Sequence, residues 1–168
     1  MSTITLDDIN IRTDLQPGDL GYVIYMHGKL YKKEYNYGIQ FEGYVAGGLL
    51  EFLQLYDPKS NRVWICEHHG RMIGFMLLLD RGDTAQLRYF IIEPEYRGIG
   101  LGKKLMDLFM EFLHACRNKS SYLLTTDELP AAAHLYTSKG FVVTEARKSD
   151  GFGKPVVEQR YELMVISS

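Results

Sequence analysis

The sequence has no apolar run approaching the roughly 18 residues that a membrane-spanning helix needs. Its first residues, Met-Ser-Thr-Ile-Thr-Leu-Asp-Asp, lack the basic start and apolar centre of a secretory leader, so a cytoplasmic protein is expected. Charge of one sign is also missing. A net charge of −2 leaves no broad basic field, which argues against a nucleic-acid or anionic-membrane partner. With only two cysteines there is no disulfide framework. Cys66 falls in a strand pattern and Cys116 on the apolar face of a helix, and both read as buried thiols. The run Cys66, Glu67, His68 and His69 is the one place where metal ligands gather, but strand alternation splits it between two faces and no second cluster completes it. No metal is expected. No repeat, low-complexity tract or linker interrupts the chain, and 168 residues with 46% hydrophobic and 24% charged content suit one domain over residues 1–168.

The most informative stretch runs from Gln86 to Lys103. Residues 85–92 are rich in β-branched and aromatic types and predict a buried strand, which Pro94 cannot continue. From Gly100 onward Leu101, Leu105, Leu108, Phe109, Phe112 and Cys116 recur at helical spacing. The helix therefore starts inside a glycine run, with its first amides unpaired and the positive end of its dipole beside Gly98, Gly100 and Gly102. Phosphate oxygens can sit against such a backbone, and Arg97 and Lys103 add charge. Two known phosphate-binding spacings do not fit. A nucleoside-triphosphatase loop needs a glycine where Arg97 stands and a Ser or Thr where Lys104 stands. A dinucleotide fingerprint needs G-x-G-x-x-G, whereas these glycines alternate.

The rest of the chain supplies a setting for this turn. Asn10–Thr13 predicts a short strand, and Asp19 a cap for a helix reaching Tyr35. A second helix carries Phe41, Val45, Leu49, Phe52, Leu53 and Tyr56, with a kink or close packing at Gly47-Gly48. Arg62–His68 and Met72–Asp80 read as paired strands. After the helix of residues 100–117 come a strand over Tyr122–Thr126, a cap at Asp127, a helix over Ala131–Lys139 stopped by Gly140, and two strands, Phe141–Arg147 and Val156–Val165. The predicted fold class is α+β: a mixed, mostly antiparallel central sheet of about six to seven strands with helices on both faces.

Arg97-x-x-Gly100-x-Gly102 between an apolar strand and an amphipathic helix resembles the acetyl-CoA pyrophosphate site of the GCN5-related N-acetyltransferase (GNAT) family. Ala131-Ala-Ala-His-Leu-Tyr-Thr-Ser-Lys-Gly-Phe141 resembles the family's second signature, and the order of elements extends the likeness to nearly the whole chain. Ala85–Phe90 and Glu158–Leu163 further resemble the acetyltransferase halves fused to MarR-type regulators, although no DNA-binding half is present. The resemblance implies acetyl-CoA as co-substrate, held by Phe90, Ile91, Ile92, Arg97, Gly98, Ile99, Gly100, Leu101, Gly102 and Lys103. It implies Tyr136 as the acid for the leaving thiolate, and a backbone N–H near Ile92 for the thioester oxygen. An asparagine common among relatives is Leu129 here.

The same resemblance places the acceptor amine against Gln86 and Arg88 and among the early tyrosines, Tyr31 and Tyr35 in particular. Neither Gln86 nor Arg88 can accept a proton, so Glu93, Glu34, Asp127 and Glu128 stand as candidate bases. His134 reads as surface. The expected reaction is acetyl transfer to a primary amine of a small molecule or peptide; the alternative is a catalytically silent acetyl-CoA-binding sensor. A homodimer is compatible with either, and another acyl donor such as succinyl-CoA stays open. Arg88 in so apolar a strand needs an anion. Either an internal acid such as Glu34 or Glu42 supplies it, or the acceptor carries a carboxylate.

Overall fold

A computed structural model describes residues 3–166. The elements in order are β1 (Asn10–Arg12), α1 (Asp19–Tyr35), α2 (Ile39–Leu55), β2 (Arg62–His68), β3 (Arg71–Asp80), β4 (Thr84–Ile92), α3 (Leu101–Ala115), β5 (Ser120–Thr126), α4 (Pro130–Ser138), β6 (Val142–Ser149) and β7 (Val156–Met164). The seven strands form one sheet in the order β1-β2-β3-β4-β5-β7-β6. Every neighbouring pair is antiparallel except β4 with β5, where α3 makes the crossover.

Strand alternation sends one set of side chains to each face, and helices cover both. Trp64, Cys66, Ile73, Met76, Leu78, Ala85 and Leu87 pack with Leu101, Leu105, Phe109 and Leu113 of α3 and Tyr136 of α4. Val63, Ile65, Phe75, Leu77 and Leu79 pack with Val23 and Met26 of α1 and Phe41, Val45, Leu49 and Phe52 of α2. β3 is buried along eight consecutive residues because it has a layer on each side. The mixed α+β sheet with helices on both faces is thus the observed fold.

Two strand features open a site. β4 pairs with β5 only from Thr84–Ser120 to Leu87–Leu123, although β4 continues to Ile92 and β5 to Thr126. Beyond Leu87 the two strands diverge, so backbone groups of β4 on that side have no strand partner among the described residues. On its other side β4 shifts register against β3 between Phe75 and Leu77, and Tyr89 there takes φ 58°. Such a bulge advances the alternation by one residue. Gln86 and Arg88 face α1 and α2, and after the bulge it is Tyr89 and Ile91 that pack on that side.

Several expectations about caps are corrected. Gly18, at φ 93°, occupies the N-cap of α1, and the Asp19 carboxylate instead turns back to Arg12 (2.6 Å) and the Gln16 amide (2.7 Å). The guanidinium wins because it offers a charge-assisted pair. Leu129, not Asp127, is the N-cap of α4, and Asp127 Oδ1 accepts the Val157 amide at 3.2 Å, tying the end of β5 to β7. Cys116 is only half-buried, at the C-cap of α3. Of the kink or close packing expected at Gly47-Gly48, the close packing is found, at Gly48, and α2 runs unbroken through both.

Candidate active site

Gly100 begins the site. It lies at the N-cap of α3 with φ 90°, and no side chain caps the helix. Lys104 is the first residue whose amide finds a helical carbonyl, on Gly100 at 3.0 Å. The amides of Leu101, Gly102 and Lys103 therefore point out of the helix end with no partner among the described residues, where an anion is favoured. Gly98 (φ 79°) and Gly100 adopt the left-handed backbone, and a Cβ on either would meet nothing within 4 Å, so the turn is open on its outer side. Gly102 differs. A Cβ there would lie 2.9 Å from Leu135 Cδ1 and close to Phe90 and Ile92, so this glycine lets α3 approach α4 and β4 rather than baring the backbone. Lys103 is exposed and paired with Asp107 at 2.9 Å. A diphosphate group fits these uncapped amides and open glycines.

Arg97 does not point its charge freely at this turn. Its Nη1 and Nη2 donate to both oxygens of Glu34 on α1, each at 2.8 Å, and its Nε donates to the Ile92 carbonyl at 3.0 Å. Glu34 is therefore neither a partner for Arg88 nor a free base. Its carboxyl is held below the ordinary carboxylate range by that bond to Arg97.

At the gap between the diverging β4 and β5 lies a cavity of ≈ 110 Å³ lined by both strands, α1, α2 and α4, and its Phe90 wall packs against Gly102. Tyr136 forms part of its wall. The side chain is buried, with its ring packed near Phe90 (6.3 Å), Phe141 (6.3 Å) and Tyr161 (5.7 Å). Its hydroxyl makes no hydrogen bond among the described residues, and burial, helped by neighbouring Tyr161, holds it above the usual tyrosine range. It is thus a protonated donor with no structural hydrogen bond to lose. Tyr31 also lines the cavity, stacked on Phe41 at 4.5 Å, whereas Tyr35 packs on Tyr31 and Tyr37 outside the lining. A helix turn separates the two tyrosines, and only Tyr31 lies deep enough to reach the gap.

Gln86 and Arg88 enter the cavity from β4. Gln86 is buried, and its Oε1 accepts both Arg81 Nε (2.8 Å) and the Tyr122 hydroxyl (3.0 Å). The anion nearest Arg88 is Glu51 of α2, at 3.5 Å, not Glu34 or Glu42. Glu42 lies on the other side of α2 instead, its Oε1 over Gly28 of α1.

Of the remaining candidate bases, Glu93 is paired with Arg71 at 2.8 Å and Glu128 with Lys154 at 2.6 Å, while Asp127 holds the Val157 amide. His134 is exposed. Two proton acceptors on the cavity wall were not anticipated: His27 and Glu158. His27 is buried, with Nδ1 donating to the Val23 carbonyl at 2.8 Å, which leaves the Nε2 lone pair free. Burial pushes its pKa down to about 4, so the ring is neutral near pH 7. The available signal was spacing alone, since His27 sits four residues from both Val23 and Tyr31 on the inner face of α1. Among the described residues no group of three or more His, Cys, Asp or Glu could hold a metal. His68 instead shares a 2.8 Å hydrogen bond with the Tyr96 hydroxyl.

An uncapped helix after a bulged central strand, beside a gap between two parallel strands, offers an anion site next to a cavity for a second group. Residues 59–143 match the acetyltransferase (GNAT) domain family. The N-acetyltransferase YjgM of Escherichia coli is 32% identical over 112 residues, covering 62% of this chain and 67% of that protein. The N-acetylaspartate synthetase of Danio rerio is 32% identical over 87 residues, which are 50% of this chain but 30% of that one. In fold, the chain superposes on the spermidine N-acetyltransferase of Vibrio cholerae solved with CoA and spermine, with a TM-score of 0.68 and 21% identity over 94% of this chain and 96% of that one. The chain belongs to the GNAT acetyltransferase family. Acetyl-CoA is bound in two other solved structures of this fold, from Elizabethkingia anophelis and Salmonella typhimurium.

Proposed function

We propose that the chain transfers an acetyl group to the primary amine of a small molecule or peptide by direct attack, with no covalent enzyme intermediate. Acetyl-CoA supplies the activated acetyl group and a thiolate leaving group. The observation that carries the reading is that the β4–β5 gap and the Tyr136 side chain share one cavity, whose Phe90 wall packs against Gly102 at the uncapped start of α3. The amides of Leu101, Gly102 and Lys103 hold the pyrophosphate, and backbone groups of β4 past the bulge face the reacting carbonyl. As the new N–C bond replaces C–S, Tyr136 gives its proton to sulfur, and the proton lost by nitrogen goes to an acceptor on the cavity wall, His27 or Glu158. Holding the two reactants together is the main source of acceleration.

A second reading is favoured by one observation: neither Gln86 nor Arg88, which enter the cavity from β4, can take a proton. On that reading the chain is a silent acetyl-CoA sensor, in keeping with its proposed likeness to domains fused to MarR-type regulators. Incubating the protein with acetyl-CoA and a broad panel of primary amines separates the two. Acetyl transfer predicts amine-dependent release of free thiol, and acetyl-CoA binding with no release from any amine would establish the sensor.

A further inference from the structure

Arg88 carries a charge that its surroundings do not balance. Its side chain is only 10% exposed, and its guanidinium lies between aromatic rings, 4.7 Å from the centre of Tyr89 and 5.6 Å from that of Tyr44. The two rings favour the charge, while the planar fork keeps its N–H groups for hydrogen bonds. Among the described residues the one anion paired with it is Glu51, whose Oε1 is 3.5 Å from Arg88 Nη1 but 2.6 Å from Arg81 Nη2. Glu51 is also 43% exposed and committed first to Arg81. Two guanidinium groups thus share one carboxylate, and one positive charge is left at a nearly buried position, which is costly without an anion.

Three N–H or O–H groups beside it have no acceptor among the described residues. Arg88 Nη2 makes no hydrogen bond among the described residues. Gln86 must turn its oxygen toward Arg81, since Arg81 Nε can only donate. Its Nε2, with two N–H groups, is then directed elsewhere and finds no acceptor among the described residues. The Tyr89 hydroxyl is buried and also unpartnered. It and Arg88 Nη2 converge on Gly48 of α2, where a Cβ would lie 1.8 Å from the hydroxyl and 2.6 Å from Nη2. Gly48 is bare to make room for them. Gln86, Arg88 and Tyr89 all line the cavity.

Resting on the acetyl-transfer reading, we propose that the acceptor amine carries a carboxylate, gripped by Arg88 and Gln86 Nε2, so that the substrate is an amino acid or the C-terminal end of a short peptide. The ligand's carboxylate supplies the missing negative charge and accepts the unused N–H groups, and its amine is left to face the gap between β4 and β5. A polyamine, with no acid group, would instead add positive charge next to Arg88.

The test is equilibrium binding in the presence of coenzyme A, titrating each of the common L-amino acids and its C-terminal amide by calorimetry or ligand-observed NMR. At least one acid should bind 10-fold or more tightly than its amide, the ratio expected of a charge-assisted pair. Gln86→Glu keeps an oxygen for Arg81 but replaces the donor with a second acceptor, and it should bring that ratio to near one. Arg88→Gln should do the same. If no amino acid binds, if acid and amide bind alike, or if folded Gln86→Glu keeps the preference, the inference is overturned. Thiol release from acetyl-CoA read on the same pairs keeps the two ideas apart. Neutral amines acetylated as fast as acids would overturn the carboxylate site alone. Selective acid binding without thiol release would uphold the site and overturn the transferase.

Discussion

His27 gives a pH dependence that can be worked out in advance. In the unfolded chain its imidazole titrates near the ordinary 6.5, and in the folded protein burial lowers this to about 4. The folded state therefore disfavours the proton that the unfolded state accepts. Stability is fully present above pH 6.5 and falls as the pH drops toward 4, at ~1.4 kcal/mol per pH unit. Between pH 7.5 and 5 the loss is about one and a half such units, ~2 kcal/mol. Carboxylates held low by arginine, such as Glu34 and Glu51, do not contribute there, because their unfolded values lie near 4.5. The perturbation is His27→Gln, which removes the titration while keeping a polar side chain of similar length. Urea unfolding of both proteins at pH 7.5 and 5 isolates the effect, since the other histidines cancel in the difference. Wild type should lose ~2 kcal/mol more than the variant over that interval. Equal losses would mean that His27 is hydrated or protonated in the folded protein, and a neutral acceptor on the cavity wall would no longer stand.

Tyr136→Phe keeps the ring contacts with Phe90, Phe141 and Tyr161 and removes a hydroxyl with no partner to lose, so unfolding should shift by less than about 0.5 kcal/mol. Its turnover should fall on the order of 10²-fold with acetyl-CoA affinity nearly unchanged; equal turnover would leave Tyr136 a packing residue. Gly48→Ala drives a methyl into the Tyr89 hydroxyl and Arg88, which should cost about 1–3 kcal/mol in chemical unfolding, and a neutral result would contradict the tight contact. Glu34→Gln frees a half-exposed Arg97 beside the glycine turn. Stability should change by under about 1 kcal/mol, while acetyl-CoA should bind several-fold more tightly at low salt and lose that gain at high salt.

Elements whose pattern is carried by local spacing were legible in the sequence. The limits of β2, β3 and the four helices follow from apolar periodicity, from Pro94 and from Gly140, whose φ of 98° ends α4 as glycine permits. The face shared by Gln86 and Arg88 was legible for the same reason. The bulge at Tyr89 was not, because it depends on how β3 and β4 register against each other, and nothing in Arg88-Tyr89-Phe90 marks a positive φ. Ion pairs across the fold were equally hidden. Glu34, Glu42 and Glu51 lie on two adjacent helices, and only the packing of α1 and α2 over the sheet decides which reaches Arg97 and which reaches Arg88. Asp19 and Asp127 had the right residue type for caps, but Arg12 and the Val157 amide, brought close by tertiary contacts, took their carboxylates instead. His27 went unnoticed because, on an apolar helix face, a histidine does not differ in spacing from a core residue.

The account turns on where the co-substrate lies, and the most direct measurement is the backbone amide spectrum of labelled protein titrated with acetyl-CoA. The account predicts that the largest shifts fall on Gly98 to Lys104 and on Tyr89 to Ile92, with smaller ones at Thr125 and Thr126 across the gap and on α4 around Tyr136. Saturable binding that leaves the amides of Leu101, Gly102 and Lys103 unmoved would contradict it.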